Sequence, residues 1–202
     1  GHPLEKYRNI MEKMISARTI DFQPDDETGI PKVYDGQKVI IGGMITEKTI
    51  KYTRNNKVMA FLTVEDLMGT VEIVVFPRDY EKWQTLINED ARVFIQGRVN
   101  AEDDKPSKLI LEKVRAFDDI PREIWIQFKD REDYAQKEQE LLNYLRGSVG
   151  TSAVVIYLKD VKAIKRLPAG YHVQISDFLL EELKKKYGDS NVKVVERVLK
   201  NF

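Results

Sequence analysis

Val58-Met59-Ala60-Phe61-Leu62-Thr63-Val64-Glu65 runs into the turn Asp66-Leu67-Met68-Gly69, then into Thr70-Val71-Glu72-Ile73-Val74-Val75-Phe76-Pro77. The first run alternates, with Val58, Ala60, Leu62 and Val64 on one side and Met59, Phe61, Thr63 and Glu65 on the other. That is the two-residue period of a half-buried strand. The second run, Thr70 to Phe76, is a further strand that Pro77 ends. Proline suits the first turn of a helix, where its missing N–H does no harm, and Tyr80, Trp83, Leu86 and Ile87 give the helix that follows a buried stripe.

Outward from this pair the same grammar continues. Upstream, Val39 to Ile45 is β-rich and interrupted by Gly42 and Gly43, which favour a bulge or a sharp coil. Downstream, Ala91 to Asn100 and Lys108 to Phe117 read as strands joined by the polar loop Ala101 to Ser107. Three strands, a helix and two strands suit a five-stranded Greek-key barrel of the OB type, with the helix plugging it between strands three and four. A small β-meander with one helix meets the same pattern.

On either side the pattern changes. Leu4, Tyr7, Met11 and Met14 recur at three and four residues, one stripe of a helix from Pro3 to Ser16, with Glu5, Lys6, Arg8, Glu12 and Lys13 on the wetter side. With no obvious partner nearby, this open stripe is expected to dock onto something else. Asp21 to Gly36 is an irregular connector. Beyond Ile120-Pro121, Glu123 to Phe128 is strand-like. Asp130 caps a helix with Tyr134, Leu141, Leu142 and Leu145 inward and Gly147 at its end, and Ala153 to Leu158 is a short apolar strand. Lys162 to Arg166 and Tyr171 to Ile175 form a hairpin in this reading. Ser176 caps the last helix, Gly188 stops it, and Val192 to Val198 closes the unit. The expected fold is mainly β with α+β character. An N-terminal helix and connector (1–35) precede the OB barrel (36–119), and a small α+β domain (120–202) follows.

Composition excludes several classes. Among 202 residues, 33 Lys and Arg balance 33 Asp and Glu, so any phosphate binding relies on a local patch. Hydrophobic residues at 42% suit a packed core. The chain has no cysteine, which removes disulfides and thiolate chemistry and fits a reducing cytoplasm. No apolar run approaches a membrane span and no signal-peptide pattern opens the chain.

For catalysis the residues offer little. His2 and His172 stand far apart without triad spacing, and no phosphate-binding loop, dinucleotide fingerprint or paired-histidine motif occurs. Asp25-Asp26 and Asp103-Asp104 fit solvated turns better than a divalent-ion site. Lys184-Lys185-Lys186 ends a helix that opens with acids, the order the helix dipole favours, so the triple lysine has a structural explanation beside a phosphate-binding one. The expectation is a chain with no catalytic residue, metal or small-molecule substrate of its own. The strongest functional signal is the segment Thr46 to Lys57, where Lys48, Lys51, Arg54 and Lys57 face the single acid Glu47, with Tyr52 and Asn55 among them and Phe61 on the next strand. On an OB barrel this is the loop between strands one and two. Cations there track phosphates while a ring stacks on a base. Arg92 and Arg98 on strand four, with Lys105 and Lys108 by the second loop, extend the groove. An ordinary solvated hairpin loop is the competing reading.

Gly36-Gln37-Lys38-Val39-Ile40-Ile41-Gly42-Gly43-Met44-Ile45, Val58 to Asp66 and Gly69 to Pro77 resemble the OB region of bacterial replicative DNA polymerase III alpha subunits. Gly1-His2-Pro3-Leu4 is similar to the segment after the family's tandem helix-hairpin-helix domain. Leu183 to Gly188 and Asn191 to Val195 resemble its closing helix and strand. Many relatives carry Gly where this chain has Asn56, and Asn tolerates the left-handed conformation. The resemblance implies a cytoplasmic, nucleoid-associated fragment of a larger polymerase. The parent's magnesium-binding aspartates and clamp peptide would lie upstream, the barrel would bind single-stranded DNA, and the terminal domain would contact the clamp-loader subunit. A protein-interaction scaffold within the replisome and an anticodon-binding OB domain of an aminoacyl-tRNA synthetase are the alternatives.

Overall fold

A computed structural model describes residues 1–5 and 8–197, which divide into two compact units at Ile120 and Pro121. The first unit is a closed five-stranded barrel of strand order β1-β2-β3-β5-β4. Its strands are β1 (Lys38–Tyr52), β2 (Val58–Glu65), β3 (Thr70–Val75), β4 (Arg92–Asn100) and β5 (Lys108–Ala116). All pairs are antiparallel except β3 with β5, whose parallel pairing closes the wall. This is the OB-type barrel that the strand and helix order implies. Alternation in β2 is as expected, with Ala60, Leu62 and Val64 inside with Ile41, Ile73, Ile95 and Leu111.

Four expectations need correction. First, Thr46 to Lys57 is not a loop. β1 runs fifteen residues and stays paired with β2 from Met44 to Tyr52, which leaves only 53–57 as the turn. Backbone pairing continues past the barrel wall because the chain carries Thr49, Ile50 and Tyr52, residues at home in a pleated ribbon. Second, the irregularity in β1 lies between Ile45 and Glu47, not at the glycines. Gly42 and Gly43 serve close approach instead: a Cβ on Gly43 would run into the carbonyl oxygen of Glu65, and one on Gly42 would lie 3.0 Å from the Phe94 ring. Third, the N-terminal stripe is covered by its own barrel. α1 (Arg8–Met14) buries Ile10, Met11 and Met14, with Leu4, against Phe94, Phe117 and Ile120. Tyr7 and Lys6 lie outside the described residues. The connector is likewise part of the core, since Phe22 and Val33 are buried with the barrel interior. Asp66, itself buried, ties the connector to the β2–β3 turn by accepting from the Thr19 N–H (2.9 Å) and hydroxyl (2.7 Å), and from the N–H groups of Met68 and Gly69. α2 (Pro77–Trp83) begins on its proline as expected, but Tyr80, Trp83 and Leu86 are only half-buried and Ile87 alone is fully inside.

The fourth correction falls in the second unit, Pro121–Arg197. Its sheet has the order β8-β7-β6-β9, from β6 (Arg122–Phe128), β7 (Val154–Leu158), β8 (Ala163–Arg166) and β9 (Val192–Glu196). Tyr171 to Ile175 forms no strand; only Val173 bridges to Ser152, while β8 turns back on β7. α3 (Arg131–Leu145) is capped by Asp130 and α4 (Asp177–Tyr187) by Ser176, each side chain accepting from the N–H three residues on. Both helices pack on the sheet face that carries Ile124, Ile126, Phe128, Val154 and Ile156. The lysines ending α4 are engaged locally: Lys185 lies 3.7 Å from Glu182 and Lys186 3.6 Å from Glu140. Val198, the expected end of the last strand, lies outside the described residues.

Candidate nucleic-acid interface

Residues directly opposed across two strands share a face, so the register of β1 on β2 sorts the expected cations. Thr49 opposes Phe61 and Lys51 opposes Met59, which puts Lys51 and Phe61 together on the outer side of the ribbon, the ammonium 4.8 Å from the ring centroid. Lys48 opposes Leu62 and Tyr52 opposes Val58, on the opposite side. There Lys48 donates to Asn88 Oδ1 at 3.3 Å and lies 5.4 Å from the Tyr80 ring, while Tyr52, beyond the wall, is 69% exposed. The ribbon thus carries a cation and a ring on each side.

The tip is a three-residue loop, Arg54-Asn55-Asn56. The Asn56 N–H donates to the Thr53 carbonyl, the Thr53 N–H to the Lys57 carbonyl, and Asn56 has φ 58°. That left-handed residue completes a type I turn and its bulge. Arg54, Asn55 and Lys57 are exposed, and among the described residues Lys51, Arg54 and Lys57 make no ion pair.

Away from the tip the cations are balanced or dispersed. Phe61 opposes Val74, Val74 lies beside Ile110, and Ile110 opposes Arg98, so Arg98 shares that outer row two strands further round, next to Lys38. Lys108 lies 3.7 Å from Glu72, and Lys105, in the β4–β5 loop, 3.2 Å from Glu102. Arg92 opposes Met44 on the part of the wall that α1 covers, apart from the tip. The structure therefore brings together Lys51, Arg54, Asn55, Lys57 and Phe61, sets Lys48 and Tyr52 behind them, and separates Arg92.

Three contributors, Glu72, Arg78 and Tyr80, escape sequence reading. Glu72 sits on the outer face opposite Thr63 and adds an acid to the groove. Arg78 and Tyr80 of α2 line a cleft with Lys57 and Val58 behind the ribbon. The helical period assigned Tyr80 to the core, and only the fold places it beside Lys48. Asp79 on the same helix has its carboxyl pushed above the usual range by burial, against the pull of Arg78. Of the acid pairs, the Asp25 carboxylate accepts from the Glu27 and Thr28 N–H groups of its own turn, which hold it below the usual range. Among the described residues no three or more His, Asp or Glu come together in a group that could hold a metal ion, and no helix is long and apolar enough to cross a membrane.

A closed barrel with this topology, a ring on its outer face and a cationic hairpin beside it defines the class. Residues 39–116 match the family of OB-fold nucleic acid binding domains. Over 96% of its length the chain is 25% identical to the DNA polymerase III subunit alpha of Escherichia coli (strain K12), and over 95% it is 25% identical to that of Bacillus subtilis (strain 168). The subunit of Halalkalibacterium halodurans is 30% identical over 77% of the chain. These alignments take in 17%, 17% and 14% of the relatives, so the chain spans less than a fifth of their length. The chain is related over nearly all its length to DNA polymerase III alpha subunits, as the resemblance in the sequence implies.

Proposed function

We propose that this chain is a non-catalytic C-terminal part of a replicative DNA polymerase alpha subunit, and that its barrel holds single-stranded template DNA. The observation that carries the reading is the outer side of the β1–β2 ribbon, where Lys51 lies over Phe61 beside Arg54 and Lys57, which form no ion pair among the described residues. A base stacks on Phe61, contributing about 1–3 kcal/mol, while the tip cations follow the phosphates on either side. Lys105, Lys108 and Arg98 extend the track once phosphates compete with Glu102 and Glu72. Lys48 and Tyr52 hold the strand where it passes behind the ribbon, and Arg92 serves the wall and not the ligand. The magnesium-dependent chemistry belongs to the parent polypeptide, the C-terminal unit contacts the clamp-loader subunit, and the protein works in the cytoplasm at the nucleoid. A scaffold reading keeps the zero net charge as its motive but loses the open apolar helix, which is covered by the barrel.

Salt-dependent binding to single-stranded and duplex oligonucleotides tests this. The single strand is expected to bind more tightly, and Lys51→Glu with Arg54→Glu to weaken it and lower the salt slope by roughly 1–1.5, at about 0.7 per phosphate contact. A slope identical in the wild-type and doubly substituted chains would remove the hairpin from the site.

A further inference from the structure

The second unit places both helices on one face of its four-stranded sheet, and the opposite face carries a grid of side chains set by register. One row across it reads Lys193, Trp125, Val155 and Arg166; the next contains Gln127, Tyr157 and Ile164. Trp125 and Tyr157 therefore stand diagonally on the two central strands, centroids 6.2 Å apart and ring planes tilted by 39°, so neither ring covers the face of the other. The Trp125 indole is held in place: Nε1 donates to Glu123 Oε1 at 3.3 Å, and the buried Glu123 carboxylate is paired in turn with Arg166. Beside the rings, Gln127 Nε2 donates to Asn191 Oδ1 at 3.3 Å, and Asn191 Nδ2 donates to the Tyr187 carbonyl at 2.8 Å. That chain fixes the Gln127 amide and leaves its carbonyl oxygen without a donor among the described residues. Lys193 is exposed and forms no ion pair among them. Trp125, Tyr157, Gln127, Asn191 and Lys193 line one shallow pocket.

We propose that this sheet face is a second site for an unpaired nucleotide. Rings on the central strands of an open sheet, with helices behind, are a platform on which single-stranded bases stack. A fixed amide presents one donor and one acceptor to a base edge, and a free ammonium at the rim suits the adjoining phosphate. Three adjacent strands supply these groups: β6 the indole and the amide, β7 the phenol, β9 the ammonium. A protein-docking surface would need neither the fixed amide nor the unpaired cation beside two separate rings. The inference is independent of the barrel site.

The chain has two tryptophans, so Trp83→Phe in the full chain leaves Trp125 as the reporter. Titration with oligo(dT) at low salt is expected to quench its emission saturably. The quench is expected to persist when Lys51→Glu and Arg54→Glu disable the hairpin, and to shift about tenfold to higher concentration with Tyr157→Ala. Lys193→Glu should weaken it at low salt and hardly at high salt. Unchanged Trp125 emission throughout the titration would overturn the proposal whatever the barrel does, whereas loss of the hairpin effect with the quench intact would overturn only the barrel reading. A change in emission on concentrating the chain without oligonucleotide would assign the face to a second copy and also overturn it.

Discussion

The two halves of β1 have opposite fates. From Val39 to Ile45 the strand is buried on both sides, with Val39, Ile41 and Ile45 inside the barrel and Ile40 and Met44 packed under the N-terminal segment. From Glu47 to Tyr52 the same strand, still paired to β2, is half-buried or exposed at every position. Backbone pairing is alike in both halves; what differs is whether a distant segment docks on the outer side. A strand becomes a structural wall where something covers it and a binding surface where nothing does. The sequence marks the boundary chemically, with paired glycines that admit Glu65 and Phe94 on one side of it and lysines on the other.

This contrast can be broken from its covered end. Phe94→Ala removes the ring that packs on Phe117 at 4.3 Å and under α1. It is expected to cost about 3–5 kcal/mol, read as a lower denaturation midpoint of the first unit. Asp66→Ala leaves the Thr19 hydroxyl and three backbone N–H groups without their acceptor. Roughly 2–3 kcal/mol should go, with faster amide exchange at 15–22 as the connector loosens. At the bare end, Asn56→Val forces a β-branched residue into φ 58°. About 1–2 kcal/mol of strain is expected, together with weaker oligonucleotide binding as the tip rearranges. By contrast, charge reversal at Lys51 and Arg54 should leave the melting temperature nearly unchanged, because neither side chain supports the core. A large drop in stability there would mean that the ribbon is structural after all.

Much of the barrel is legible along the chain, because β2, β3, β4 and β5 each announce themselves by alternation and by the turn residues that bound them. Pro77 and the caps Asp130 and Ser176 are equally plain, since capping is a contact within four residues. The length of β1 is not legible. Its outer half carries Lys48, Lys51 and Tyr52 where a buried strand would carry aliphatic groups, and cations beside a turn read as loop. The stretch 171–175 misleads in the other direction, having strand-like residues but pairing only through the single bridge of Val173 to Ser152. For the site, the residue types were visible and their grouping was not. Lys48 and Lys51, three residues apart, fall on opposite sides of the ribbon by the alternation of a strand, but which of them faces outward is set by the residue added to β1 between Ile45 and Glu47, which shifts the register there.

Local chemistry in the sequence thus determined the succession of strands and helices along the chain, the helix starts and the supply of cations and rings. Tertiary structure alone decided which faces stay bare. That choice depends on contacts between segments tens of residues apart, such as Met11 and Leu4 against Phe94, or Thr19 on Asp66. Burial is a property of what arrives from elsewhere in the chain, and periodicity within a strand carries no record of it.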